Sequence, residues 1–200
     1  MTTYRPRQSV WRPGAAGMFV AFLATIVGAG VVPSRADDAA LFEPLRRVMQ
    51  HPRCQNCHAA GDAPRQGDQG QAHSPPVRRG ADGKGQAALR CESCHTDRNI
   101  AVSPLGPRGV PGAPGWQMPP AETPMAFQGR PAGALCRALK DRAANGDRGV
   151  EQLGRHMVED KLLAWAWAPG TGRTSPPLPK AEFDAAAIAW LRAGAPCPPD

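Results

Sequence analysis

Two short runs of this 200-residue chain concentrate its reactive side chains: Cys54-Gln55-Asn56-Cys57-His58 and Cys91-Glu92-Ser93-Cys94-His95. Each places two thiols three positions apart and an imidazole directly after the second. This is the spacing of c-type haem attachment. Two thiols so placed can each add to one vinyl group of a single porphyrin, and the adjacent imidazole is then held under the iron as an axial ligand. Cys pairs have other uses. Two pairs 37 residues apart resemble a four-thiolate zinc site, but zinc has no need of a His after each pair. A thioredoxin-like dithiol sits in an alternating β-α pattern, and neither run has one. The residues point to two covalent haem c groups on Cys54, Cys57, Cys91 and Cys94, with His58 and His95 as proximal ligands.

The far side of each iron is less determined. His51, His73 and His156 are the remaining histidines, and methionine is the other common distal ligand in electron-transfer cytochromes. His73 lies in a polar loop with no packing reason to be there. His156 lies beside Met157 near an apolar helix face. Met118, in Trp116-Gln117-Met118-Pro119-Pro120, and Met125 are alternatives, while Met49 and Met157 read as core. His51 stands too near the first motif to cross that iron, though it could serve the other. Bis-histidine ligation through His73 and His156 is the expectation. Cys136 and Cys197 are left over; in an oxidising compartment spare cysteines pair, the alternative being two free thiols.

The elements that must hold these groups are helices and loops. Asp37–Gln50 reads as a helix capped by Asp37 or Asp38, with Leu41, Leu45, Val48 and Met49 on one face. Residues 59–83 and 96–131 read as loops rich in Gly and Pro. Gln86–His95 reads as a short helix carrying the second Cys pair. Ala132–Asn145, a helix from Arg148 to about Trp165 capped by Asp147, and Lys180–Ala193 complete the set. Gly146 stands as a stop and Pro169–Pro179 as a loop. The expected fold is mainly α: a loop-rich cytochrome c-like domain, helices around two haems, no significant sheet. Only 33 residues lie between Cys57 and Cys91, too few for a complete single-haem domain, so both groups are expected in one domain of residues 37–200.

The start of the chain has the form of a secretory signal peptide: Arg5, Arg7 and Arg12, an uncharged apolar stretch from Ala15 to Val32, then Ser34-Arg35-Ala36. Cleavage after Ala36 is expected, with export to the periplasm as an unfolded chain; the rival is an uncleaved membrane anchor. The formal charge of +7 falls to +3 once residues 1–36, with four arginines and no acid, are removed. Haem propionates would bring it near neutral. The basic balance is therefore no sign of nucleic-acid binding, and no basic run interleaved with aromatics suggests it. With 22 Gly and 23 Pro the chain is loop-rich, and a buried porphyrin would supply the apolar surface such a chain lacks.

From His51 to Pro198 the order of motifs resembles a family of bacterial di-haem proteins often labelled isoquinoline 1-oxidoreductase subunits. The resemblance rests on His51-Pro52-Arg53 before the first motif, Gly61-Asp62, Gln66-Gly67-Asp68, His73, Val77-Arg78-Arg79-Gly80 and the second motif. Pro114-Gly115-Trp116, Leu135-Cys136 before Leu139-Lys140-Asp141, His156, Trp165-Ala166-Trp167 and Gly194-Ala195-Pro196-Cys197-Pro198 follow. It implies that His73, His156, Cys136 and Cys197 belong to the design, and that the chain is a cytochrome taking electrons from a molybdenum hydroxylase.

These readings converge on a periplasmic carrier of single electrons between a dehydrogenase or other oxidoreductase and a respiratory acceptor. A di-haem peroxidase or oxidase with one open iron is the alternative, and a haem-based sensor is a third class for which the chain shows no output domain. Intact-mass analysis of the exported protein should return residues 37–200 plus two haems. A mass lacking either haem removes the basis of the reading.

Overall fold

The computed structural model describes Met1, residues 35–101 and residues 109–200 of the chain. Backbone contacts divide it into Met1–Val32 and Pro33–Asp200, and every element below belongs to the second. The expected signal peptide falls on residues 2–34, outside the described residues, apart from Met1 and its last two positions. No helix among the described residues is long and apolar enough to cross a membrane.

Helix is the main regular structure. The α-helices are α1 (Arg35–Met49), α2 (Pro52–Gln55), α3 (Ala132–Lys140), α4 (Val150–Glu159), α5 (Lys161–Ala164) and α6 (Lys180–Arg192). The only sheet among the described residues is two small antiparallel hairpins, β1 (Arg65–Gln66) with β2 (Gln71–Ala72) and β3 (Gly85–Gln86) with β4 (Leu89–Arg90). Neither closes or extends, so the mainly α, loop-rich architecture stands.

Four helices build the core. Phe42, Leu45, Val48 and Met49 of α1 meet Leu135 and Leu139 of α3, Leu153 and Met157 of α4, and Phe183, Ala187 and Trp190 of α6. α1 packs chiefly on α6 and α3, and α4 on α6. Trp190 is wholly buried; its ring lies 5.5 Å from Phe42 and its Nε1–H donates to Pro196 O at 2.8 Å. Gly154 is where α4 and α6 come close, since a Cβ there would stand 3.0 Å from Leu191 Cδ1. Cys136 and Cys197 form a disulfide across 61 residues, tying α3 to the tail that follows α6.

Several boundaries differ from expectation, each for a local reason. α1 begins at Arg35, so Asp37 and Asp38 lie inside it and Pro44 falls well within the helix. Gln86–His95 is not a helix: Gly85 at φ +91° opens the β3–β4 hairpin, and only a single 3-10 turn, Cys91–Ser93, follows. α3 stops at Lys140, because Asp141 turns extended and its carboxylate accepts the Ala143 N–H at 3.0 Å to start a separate turn. The buried Asn145 then closes the corner, donating to Leu139 O and Arg148 O and accepting the Arg148 N–H. The expected helix from Arg148 to Trp165 is broken at Asp160, which caps α5 by accepting from Leu162 N and Leu163 N at 2.8 and 3.2 Å. Asp147, expected as the cap, has φ +60°; the Gly149 N–H is met instead by Gln152 Oε1 at 2.9 Å.

A loop of this length held by one disulfide gains roughly 4 kcal/mol from the restricted unfolded chain. Cys136→Ser should therefore lower unfolding free energy by about 2–5 kcal/mol in denaturant titration; a change below about 0.5 kcal/mol would mean the tail is held by packing alone.

Candidate functional site

Both Cys-x-x-Cys-His runs fold into the same single turn. His58 N–H donates to Cys54 O at 2.9 Å and His95 N–H to Cys91 O at 2.9 Å; Cys57 N and Cys94 N reach the same two carbonyls at 3.2 Å. The first turn is carried by α2, the second by the 3-10 turn after β4. One turn brings the two sulfurs and the imidazole of each motif close to one another, as joint attachment to a single planar group requires.

The two imidazoles are also oriented alike. His58 Nδ1 lies 2.7 Å from Met125 O, and His95 Nδ1 lies 2.7 Å from Pro111 O. A carbonyl only accepts, so in each ring Nδ1 carries the proton and Nε2 keeps its lone pair for a metal. Each ring is stacked on an aromatic one, His58 on Phe127 (3.9 Å, 2°) and His95 on Trp116 (4.5 Å, 4°).

Each motif opens on a cavity. The first, about 350 Å³, is lined by Cys54, Cys57 and His58 and reaches core residues Val48, Leu153 and Phe183. The second, about 300 Å³, is lined by Cys91, Cys94 and His95 with Val77, Val110 and Pro111. Both sizes fall at the small end for ligand and cofactor sites. They share a wall: Arg53, Cys57, Trp116, Gln117, Met118 and Trp165 border both.

Within these cavities the remaining histidines separate cleanly. His156 lines the first and His73 the second. His73 and His95 rings are 6.0 Å apart centre to centre. That is about the span of two imidazoles on opposite sides of one metal, with nitrogen–metal bonds of about 2 Å each. His73 Nδ1 lies 2.8 Å from Pro75 O, and His156 Nδ1 lies 3.1 Å from Asp160 Oδ2. Their Nε2 atoms are left available as well. His51 differs: its Nδ1 accepts the Arg53 N–H at 3.3 Å as the cap of α2, its Nε2 is 3.4 Å from Thr174 Oγ1, and it borders neither cavity. Met118 is buried in the shared wall, and Met125 borders the first cavity while giving its carbonyl to His58.

Loops with little regular structure supply those carbonyls, and specific bonds fix them. The buried Arg79 donates to Pro119 O, Pro124 O and Gly61 O at 3.2, 3.4 and 2.8 Å, holding the segment that ends in Met125. Asn99 Oδ1 accepts from Gly112 N at 3.1 Å and Trp165 Nε1 at 2.8 Å, fixing the neighbour of Pro111 and one wall at once. Gly83, at φ +79°, lets Met118 approach: Met118 N donates to Gly83 O at 2.9 Å, and a Cβ on Gly83 would meet Met118 O at 2.1 Å. Trp167 packs on Phe183 at 5.2 Å and donates to Leu178 O, a packing role.

Among the described residues no three His, Cys, Asp or Glu side chains are grouped so that they could hold a metal ion. Burial pushes the Cys54 and Cys57 thiols up to about 12 and about 11, so they stand as neutral thiols. The residues that could hold a haem are Cys54, Cys57 and His58 with His156 in the first cavity, and Cys91, Cys94 and His95 with His73 in the second. No family model, curated protein or solved structure matches the chain.

Phe127, Asp160 and Asn99 went unnoticed as parts of the site in the sequence. Asp160 had a signal, the i,i+4 spacing from His156 followed by Leu162 and Leu163; Phe127 and Asn99 had none, since only the fold brings them to their partners.

Burial, against the hydrogen bond to the carbonyl, holds the His58 and His95 rings down to about 4 from an ordinary 6.5. A depressed histidine pKa means the unfolded chain takes up protons first as pH falls. Stability of the haem-free protein should therefore decline as pH drops from about 6.5 towards about 4. Denaturant midpoints of the haem-free protein that stay flat between pH 7 and pH 4.5 would contradict this placement of the two rings.

Proposed function

We propose that the protein is a di-haem c-type cytochrome, exported to the periplasm, that passes single electrons between an oxidoreductase and a respiratory acceptor. One observation carries the reading: two Cys-x-x-Cys-His turns have matching backbone bonds, matching imidazole orientation and a second histidine in each cavity. Bound haem supplies a one-electron ferric–ferrous couple whose potential follows axial ligation, burial and nearby charge.

The chain's own residues divide the work. Cys54 and Cys57, and Cys91 and Cys94, would anchor the groups as thioethers. His58 and His95 would hold the proximal positions with Nδ1–H fixed on main-chain carbonyls. His156 would face His58, oriented by Asp160, and His73 would face His95, oriented by Pro75 O. With a histidine of the chain on each side of a bound group, neither site would leave a position for a substrate, which suits a carrier. The shared wall at Cys57 would keep two bound groups near one another, a short way for an electron between the sites. The resemblance to the isoquinoline 1-oxidoreductase subunit family makes a molybdenum hydroxylase a natural class of donor.

The enzyme reading, a peroxidase or oxidase, needs one open iron. Reduced wild type should bind no carbon monoxide at stoichiometric level, whereas His73→Ala should open the haem on Cys91–His95 and His156→Ala the haem on Cys54–His58. Each variant should alter the spectrum of one haem only. Fast binding to the wild type would replace the carrier with the enzyme, and a near-infrared methionine-to-iron band would move a distal position to Met118 or Met125.

A further inference from the structure

Two arginines are buried among the described residues, and they are used differently. Arg79 gives its guanidinium to three carbonyls, with Asp62 3.9 Å from its Nε, and borders neither cavity. Arg53 borders both. It directly precedes Cys54, its guanidinium carbon lies 6.0 Å from the centre of the Trp165 ring, and its side chain is 2% exposed. One carboxylate, Asp68, pairs with it, and its Nε–H is buried with no partner.

Burying a guanidinium with an unmet N–H is costly, and an apolar side chain would fill the same wall more stably. Hydrogen bonding does not explain the residue either, since Arg79 shows how this fold satisfies an arginine used for bonding. What Arg53 adds is charge in a place closed to water. Asp68 does not cancel it evenly. That carboxylate is 23% exposed and also accepts the Thr174 N–H at 3.2 Å, so water screens its field more than Arg53's.

We infer that Arg53 is the fixed charge common to both sites and raises the reduction potentials of both, with Asp68 as its counterweight. The inference rests on the two-haem reading. Reduction adds one electron to an iron, and a cation in the wall between the sites favours the electron-richer state of either. Removing Arg53 lowers both potentials, and removing Asp68 raises them.

The test is a mediated spectroelectrochemical titration of the holoprotein, with haem content measured as the pyridine haemochrome. Arg53→Gln is expected to shift both midpoints downward, Asp68→Asn both upward, and Arg53→Lys to remain near the wild type because the charge is kept. A merely structural role would not produce opposite signs from the two partners of one ion pair. Unmoved midpoints in Arg53→Gln carrying two haems, a shift of one haem alone, or shifts of the same sign in Arg53→Gln and Asp68→Asn overturn the inference while leaving the two-haem reading intact. Should Arg53→Gln fail to take up two haems, Asp68→Asn decides: an upward shift supports the inference, an unchanged or lower midpoint overturns it. Wild-type protein without covalent haem overturns both.

Discussion

The structure turns on a bond from an imidazole to a main-chain carbonyl. The His58 and His95 rings present a lone pair at Nε2 only while Nδ1–H donates to Met125 O and Pro111 O, 67 and 16 residues away in the chain. Neither carbonyl belongs to a helix or strand, so nothing in regular secondary structure holds it. The fold meets this demand with individual side chains. Arg79 gathers three carbonyls, Asn99 joins Gly112 to Trp165, and Gly83 lets the Met118 segment lie against the second motif. These polar ties do for the loops what a hydrogen-bond ladder does for a sheet.

The two sites are alike at the imidazole and unlike in their surroundings. The first cavity is continuous with the helical core and borrows Val48, Leu153 and Phe183 from it. The second is walled mainly by loops, from Pro64 and Val77 to Pro111. A group in the first would thus be packed by the same side chains that hold α1, α4 and α6 together. In the second, it would be packed by loops that polar ties such as Asn99 to Gly112 and Trp165 hold in place.

What could be read from the sequence followed the range of the interactions. The Cys and His spacings are local, so both motifs were legible, as was α6 to within a residue. The Cys136–Cys197 pairing followed from counting. Boundaries failed where one polar side chain outbid helix periodicity: Asp141 ended α3 and Asp160 split the helix expected to reach Trp165. Gln86–His95 misled as a short helix, while the left-handed Gly85 commits the chain to a hairpin. Partners such as Phe127 beneath His58, or Asn99 behind Trp165, are set by chain crossings that no short window contains. The sharing of a wall between the cavities is likewise a property of the assembled fold.

The disulfide also divides the chain topologically. The segment from Cys136 to Cys197 is a covalent ring, and it contains His156, Asp160 and Trp165. Both Cys-x-x-Cys-His runs and His73 lie on the open strand that precedes it. A single backbone nick inside the ring would therefore leave His156 attached to the rest of the molecule. A nick between Cys57 and Cys91 would part the two motifs, with only noncovalent contact to keep them together. The protein's tolerance of proteolysis is thus built unevenly, covalent around His156 and absent along the chain between the two Cys-x-x-Cys-His runs.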